Sequence, residues 1–382
     1  MNPISLYIHI PFCLRKCSYC DFLSAPRDRG FRTQYVRALS REIQLQGRNY
    51  SDVTVDTVFF GGGTPTVLTA GELSGILDTL RVRFRIQEDA EISLEMNPGT
   101  ADGEKLRVLK RAGFNRLSIG VQSMQDKELK ILGRIHSAEQ AREAYRLARE
   151  AGFDNINLDL MSGLPGQTFQ DWSRTLEQAA GWKPEHISAY SLIIEPGTPF
   201  AALREAGKLA PLPDEETERE MYRFTEDFLS KRGFARYEIS NYAKPGRECR
   251  HNTGYWTGHA YLGLGTGAAS YVDGVRWSNI SNPDEYMKIL CAGGEIAALQ
   301  KDVRRLSAEE RMEEFMFLGL RMTGGVRAED FSGRFGKEME EVYGSVMCRQ
   351  IGQGVLERTD GGVRLTARGI DVSNYVLADY LL

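Results

Sequence analysis

The chain has 382 residues, 42% of them hydrophobic and 26% charged, with a formal net charge of −4. That length supports one large domain plus a smaller one, and the mild acidity offers no global basic field for nucleic acid. Six cysteines, three of them clustered, make no disulfide framework and suit a reducing cytosol. No apolar run reaches 18 residues, which argues against a membrane span. The apolar start lacks the basic region and cleavage site of a signal peptide.

Up to about residue 200, short apolar strands alternate with helices. Strands are predicted over 6–10, 57–60, 91–95, 116–119, 155–160 and 186–192, and helices over 32–46, 70–83, 102–112, 138–151 and 172–180. Thr69 with Glu72 and Ser137 with Gln140 form capping boxes that fix two helix starts, and Gly113 and Gly152 stand where left-handed caps end the helices over 102–112 and 138–151. Such alternation predicts a parallel sheet with right-handed crossovers. Six units rather than eight predict an incomplete (β/α)6 barrel, open on one side to a large substrate. A helix over 215–231 and a strand over 235–239 close this first domain, 1–240.

Between 241 and 300 the composition shifts to Gly, Tyr, Trp, Asn and Ser, which reads as a loop-rich connection. Beyond it, Ser307 and Glu310 cap a helix over 308–322. A second helix over 336–350 leads to short strands at 355–357 and 363–365, joined through Asp360-Gly361. The segment 301–382 is therefore predicted as a small winged-helix-like α+β domain. Without a basic stripe it fits a docking or lid role better than DNA binding.

Cys13, Cys17 and Cys20 fall within eight residues, and the next cysteine is Cys249. Iron–sulfur clusters normally take four cysteines, so three would leave one iron of a cubane open to a small molecule. With His9, the same thiols could instead make a Cys3His zinc site that stabilises a binding module. His9 lies inside an apolar run, 6–12, that reads as a buried strand and not a knuckle, which favours the cluster.

In parallel barrels, chemistry gathers at the C-terminal strand ends. Here those ends carry Gly61-Gly62-Gly63-Thr64-Pro65 after strand two, Glu95 on strand three, Gln122 after strand four and Asp159 within strand five. Glycines let a backbone approach a ligand closely. Glu95 suits ribose hydroxyls or an ammonium, Gln122 can both donate and accept, and Arg134 could meet a carboxylate. Asp159, in an apolar strand, needs a partner. Taken singly, Glu95 and Arg134 could equally be helix-end charges.

The C-x3-C-x2-C spacing after a short strand resembles the radical S-adenosylmethionine (SAM) superfamily, where SAM occupies the open iron. Tyr7-Ile8-His9-Ile10-Pro11-Phe12-Cys13, Gly61-Gly62-Gly63-Thr64-Pro65, Gly120-Val121-Gln122 and the run Leu158-Asp159-Leu160-Met161-Ser162-Gly163-Leu164-Pro165-Gly166-Gln167-Thr168 resemble the oxygen-independent coproporphyrinogen III oxidases and their relatives. The resemblance spans nearly the whole chain. It implies a [4Fe–4S] cluster on Cys13, Cys17 and Cys20, with SAM contacts at Tyr7, Tyr19, Gly62, Gly63, Thr64, Glu95, Gln122, Arg134 and Asp159. In relatives that bind a second SAM, some of these positions touch that one.

The oxidases carry a fourth cysteine two residues after the third and a longer N-terminal extension. Here Phe22 stands at that position and six residues precede Tyr7. Both departures resemble the HemW-type heme chaperones, a sister group marked by His-Asn-x-x-Tyr-Trp; this chain has His251-Asn252-Thr253-Gly254-Tyr255-Trp256. That resemblance implies a cytoplasmic protein that binds heme beside the cluster and SAM. It would pass heme to acceptor proteins, membrane-bound respiratory hemoproteins among them. Oxidative decarboxylation of coproporphyrinogen III is the alternative activity. A neutral imidazole is a common axial ligand of heme iron, which points to His251, with Cys249 and His259 as nearby alternatives.

Overall fold

The computed structural model describes residues 3–382. Six strands run parallel in chain order: β1 (Ile4–Ile10), β2 (Thr54–Gly62), β3 (Arg85–Met96), β4 (Arg116–Gln122), β5 (Ile156–Ser162) and β6 (His186–Ser191). The crossovers carry α1 (Arg29–Asn49), α2 (Ala70–Arg83), α3 (Gly103–Ala112), the short α4 (Asp126–Ile131), α5 (Ala138–Glu150) and α6 (Phe169–Gly181). β4 is buried along its whole length, because helices cover the outer face of the sheet and its inner face is enclosed by the other strands. Helix α5 shows the complementary pattern, burying Ala141, Ala144, Tyr145 and Ala148 on one stripe.

The predicted capping boxes at Thr69, Ser137 and Ser307 are formed, with side chain and backbone bonded reciprocally in each. Gly113 (φ 104°) and Gly152 (φ 91°) are left-handed, as a helix end followed by a reversed chain requires. Register aligns the strand ends: Ile10 opposes Gly62, Glu95 opposes Ser118 and Gly120 opposes Asp159.

After β6 come α7 (Pro199–Glu205), α8 (Glu215–Ser230), the two-residue β7 (Ala235–Arg236) and β8 (Asn241–Ala243). The strand predicted over 235–239 is thus shorter, and β8 continues the sheet beyond β6. The stretch expected to be loop-rich holds α9 (Arg250–Trp256), β9 (Tyr261–Leu264), β10 (Ala269–Val272), β11 (Val275–Asn279), α10 (Pro283–Cys291) and β12 (Gln300–Arg305). β9 pairs in parallel with β1, and β10 to β12 follow as an antiparallel meander. The outcome is one sheet of twelve strands in the order β12-β11-β10-β9-β1-β2-β3-β4-β5-β6-β8-β7. Strands of four or five residues leave too little alternation to read. The β10–β11 turn, Asp273-Gly274 with φ of 50° and 73°, is nonetheless the dipeptide that a tight hairpin demands.

Leu262, Trp277, Tyr286 and Leu290 join the same apolar core as the six parallel strands. Glu42 of α1 ties this extension down, accepting hydrogen bonds from Gly265 N, Asn279 Nδ2 and the Tyr286 hydroxyl. The C-terminal part is α11 (Ala308–Gly319), β13 (Val326–Arg327), α12 (Ala328–Phe335), α13 (Met339–Gly352), β14 (Leu356–Thr359), β15 (Gly362–Leu365), α14 (Ala367–Asp371) and α15 (Ser373–Ala378). Its sheet runs β13-β15-β14, and Met316, Phe331, Tyr343 and Val363 belong to a separate apolar cluster. This is the winged-helix-like arrangement expected, except that Gly336 caps α12 instead of opening α13. Among the described residues, no helix is long and apolar enough to cross a membrane.

Candidate functional site

The C-terminal ends of all six parallel strands border one cavity of about 410 Å³. It is reached by the Cys13–Cys20 loop after β1, Gly62 of β2, Glu95 of β3, Gln122 of β4, Asp159 of β5 and Tyr190 of β6. β1 and β6 do not pair with each other. The six strands can share a cavity only because the sheet curls around it, which makes the barrel incomplete.

The cysteine loop is anchored at both ends. Cys13 N donates to Ala25 O and Ser18 N to Leu132 O. All three thiols are free and half-buried on the cavity wall. Two have polar partners: Thr64 Oγ1 donates to Cys13 Sγ at 3.5 Å, and Arg134 Nη1 donates to Cys17 Sγ at 3.5 Å. Burial pushes the Cys20 thiol up, and its two neighbouring thiols add to this. A cation or iron would therefore be needed to hold three thiolates together.

His9 is not arranged as a fourth ligand. Its Nε2 lies 2.9 Å from Leu23 O, a carbonyl that can only accept, so Nε2 carries the proton. Nδ1 is then the acceptor for the Tyr7 hydroxyl at 3.1 Å, and both nitrogens are used. Among the described residues no three His, Cys, Asp or Glu side chains converge as ligands of a single metal ion. The thiolates of a cubane each take a different iron, so they need not converge on one point. The donor set fits the cluster and not Cys3His zinc.

The glycine turn does more than leave room for a ligand. A Cβ on Gly62 would lie 2.4 Å from the His9 ring, and one on Gly63 would lie 2.5 Å from Phe12 O. Gly63 N and Thr64 N donate to Ile10 O and Phe12 O, so this turn is stitched to the chain entering the cysteine loop. Thr64 lies beneath Cys13 and borders a small side cleft, accepting from Asn97 Nδ2 at 2.7 Å. Asn97 also accepts from Arg134 Nη2, as does Gly120 O. A Cβ on Gly120 would come within 2.5 Å of Asn97 Oδ1, so Gly120 keeps this guanidinium in place. Asn97 was not singled out from sequence, although it directly follows the strand carrying Glu95.

Two carboxyls share the opposite wall. Burial and the neighbouring Asp159 push Glu95 up to about 8, against the bond it accepts from Gly62 N at 3.2 Å. Burial raises Asp159 as well, opposed by hydrogen bonds from Ser118 Oγ and Asn157 Nδ2 at 2.9 and 2.8 Å. A cationic ligand would relieve this pair. Gln122 closes the wall from a bulge at the end of β4, with φ at 68°. A non-glycine there costs about 1 kcal/mol and is characteristic of functional sites. Tyr19 borders the cavity beside Arg134, while Tyr7 faces a neighbouring cavity of about 470 Å³ that shares Gly62, Glu95 and Phe22. Phe22 is 62% exposed and Ile193, on the far rim, 70%. This apolar rim had no signal in the sequence.

His251 is elsewhere. It sits on α9, 1% exposed, with its ring stacked on Phe59 at 5.0 Å. Nδ1 is bonded to Thr57 Oγ1 at 2.8 Å and Nε2 to the Tyr255 hydroxyl at 3.0 Å. Burial drives its pKa down to about 3. It is neutral, as a ligand must be, yet both nitrogens are occupied. Of the three ligand candidates, Cys249 is fully buried, with burial pushing its thiol up to about 12. His259 alone borders a cavity, and Trp256 of the same motif borders one too.

The radical SAM superfamily model matches residues 7–179, and the HemN C-terminal domain model matches 306–372. The chain is 38% identical to the heme chaperone HemW of Bacillus subtilis, covering 99% of both proteins. It is 36% identical to that of Escherichia coli, covering all of this chain and 99% of the other. The chain belongs to the HemW family. In fold it is similar to the solved structure of E. coli coproporphyrinogen III oxidase, with a TM-score of 0.86 over all of this chain and 90% of that one. Identity to that oxidase is 24%, so the likeness concerns the fold alone.

Proposed function

We propose that the chain is a cytosolic heme chaperone that carries a [4Fe–4S] cluster and SAM and passes heme to acceptor proteins. The observation that carries this reading is full-length similarity to proteins named heme chaperone HemW, at 38% and 36% identity. Cys13, Cys17 and Cys20 would hold the cluster, which supplies an electron source and an open iron. Gly62, Gly63, Glu95, Gln122, Arg134 and Asp159 surround a cavity able to take SAM. The Glu95–Asp159 pair suits its cationic groups, and the Arg134 guanidinium sits beside the cysteine loop. Thr64 supports Cys13 from below, and Tyr7 and Tyr19 shape the walls.

Phe22, in the position of the oxidases' fourth cysteine, speaks against decarboxylation of coproporphyrinogen III. Two anaerobic measurements test the reading. Purified, reconstituted protein should bind hemin stoichiometrically and pass it to an apo-hemoprotein. It should form no protoporphyrinogen from coproporphyrinogen III with SAM and a strong reductant. Multiple turnovers in the second assay would replace the chaperone reading by the oxidase.

A further inference from the structure

We propose that heme lies in the groove between β9–β11 and the C-terminal domain, with His259 and not His251 as its iron ligand. This rests on the reading that the chain binds heme, and it names where.

His251 fails as a ligand on geometry. It is enclosed between β2 and α9, both ring nitrogens are bonded to hydroxyls, and it borders none of the cavities described. Its motif instead builds a support. Arg250 N and His251 N donate to Glu91 of β3, and Tyr255 packs edge-on against Tyr261. The residue this support presents is Trp256, which faces a groove of about 1160 Å³ together with His259, Tyr271, Phe315 and Met322. The Trp256 Nε1 proton is buried there without a hydrogen-bond partner.

His259 has the geometry that His251 lacks. Its side chain is 24% exposed, and Nε2 lies 3.3 Å from Asp56 Oδ2. Nε2 makes no hydrogen bond there, so the ring sits beside a carboxylate with that nitrogen unsatisfied by the protein. Metal-ligating histidines are commonly oriented by such a carboxylate. A second cavity, of about 820 Å³, meets the groove at His259, Thr257 and Met322.

Charge sets the orientation. Heme is a flat apolar disc with two carboxylates at one edge. Asp56, Asp89, Glu91, Asp154 and Glu248 border the second cavity and outnumber its Arg247 and Arg250, so those carboxylates would be repelled there. Arg311, Arg327 and Arg334 border the groove, alongside Asp273, Glu329 and Asp330. Arginine is the side chain best matched to carboxylates, so the propionates point toward the C-terminal domain and the disc lies beside Trp256, on whose ring Arg321 stacks at 4.6 Å. That places the cargo at the junction of the two apolar cores, away from the cysteine loop.

The test is a hemin titration of the full-length protein, followed in the Soret region, for wild type, His259→Ala and His251→Phe. His259→Ala should weaken hemin by roughly tenfold or more and shift the Soret band, and added imidazole should restore the wild-type spectrum. His251→Phe should keep the wild-type Soret position. If His259→Ala does not fold by circular dichroism, His259→Gln takes its place, with the same loss expected. Wild-type affinity and Soret position in the folded His259 variant would overturn the site while leaving heme binding intact. Failure of the wild type to bind hemin at all would overturn the functional reading beneath it.

Discussion

The cysteine loop and the His251 motif are both dense in potential ligands, yet the fold treats them oppositely. Around Cys13 and Cys17 the protein supplies partners, Thr64 and Arg134, to thiols that remain half-exposed on a cavity wall. Around His251 the protein consumes every polar valence, through Thr57 and Tyr255, and buries the ring. A site keeps ligand atoms unsatisfied by protein and spends its second tier of residues orienting them. A core polar group is bonded on all sides because an open valence there costs about 1–3 kcal/mol. Motif proximity alone does not separate the two cases; the state of the remaining valence does.

The largest effect expected comes from removing that open valence at the cysteine loop. Cys13→Ala, Cys17→Ala and Cys20→Ala should each abolish the cluster with the fold retained, because the remaining cysteines are buried at Cys249 or lie far along the chain at Cys291 and Cys348. Iron and acid-labile sulfide after anaerobic reconstitution measure this, and wild-type values in any one variant would remove that residue from the ligand set. Next in size is Gly63→Ala. Its Cβ would meet Phe12 O at 2.5 Å and Phe12 N at 2.8 Å, both backbone atoms next to Cys13. The expected cost is about 1–3 kcal/mol of stability, as for overpacking a rigid site. Gly71→Ala, in α2 with nothing near its Cβ, is the matched control and should be neutral or slightly stabilising in denaturant unfolding.

Much of the barrel mouth was legible because its residues are local in sequence. Three cysteines, a triple glycine and strand-end Glu95, Gln122 and Asp159 each follow a strand, and parallel topology brings strand ends together without further information. Asn97 was less legible: what marks it is its bonding to Thr64 and Arg134, which only the packing of the strand ends reveals. The extension β9–β12 escaped because its strands are short and its glycines read as loop. Its Asp273-Gly274 hairpin went unread within the loop-like composition, and its parallel pairing of β9 with β1 joins residues 261–264 to 5–8, a separation no local pattern encodes. The motif at His251 was recognisable as a motif, but the direction its ring takes depends on Thr57, nearly two hundred residues away.

The two regions should also titrate in opposite directions, which sharpens the contrast. Glu95 is raised from an ordinary 4.5 to about 8, first by burial and then by Asp159. Between those values the unfolded chain loses a proton that the folded chain keeps, so this group lowers stability as pH rises. His251 is lowered from 6.5 to about 3 by burial. Between those values the unfolded chain gains a proton that the folded chain refuses, so this group lowers stability as pH falls. Glu42, raised to about 7, acts like Glu95, and His136, lowered to about 4, acts like His251. The informative quantity is therefore the difference from wild type in urea unfolding of the apoprotein. Glu95→Gln should flatten the decline above pH 4.5, and His251→Phe should flatten the decline below 6.5. His251→Phe should also cost about 1–3 kcal/mol at neutral pH by orphaning the buried Thr57 hydroxyl. Slopes unchanged in both variants would mean that neither group is held as the structure places it.

The smallest effect expected is at Phe22, and its smallness is the point. The side chain is 62% exposed on the rim shared by the two barrel cavities, so Phe22→Cys removes little buried surface. Stability should stay within about 0.5 kcal/mol, as for other surface changes. The new thiol would stand two residues beyond Cys20, where the oxidases carry their fourth cysteine. If cluster capacity is fixed by the three thiols that Thr64, Arg134 and the anchored loop position, iron and sulfide per chain will not change. Nor will the variant turn over coproporphyrinogen III, because the walls of the cavity stay as they are. A gain of oxidase activity from this one substitution would show that the difference between cargo carrier and catalyst resides in the cysteine loop. The comparison with the His251 region would then have to be drawn within the barrel mouth itself.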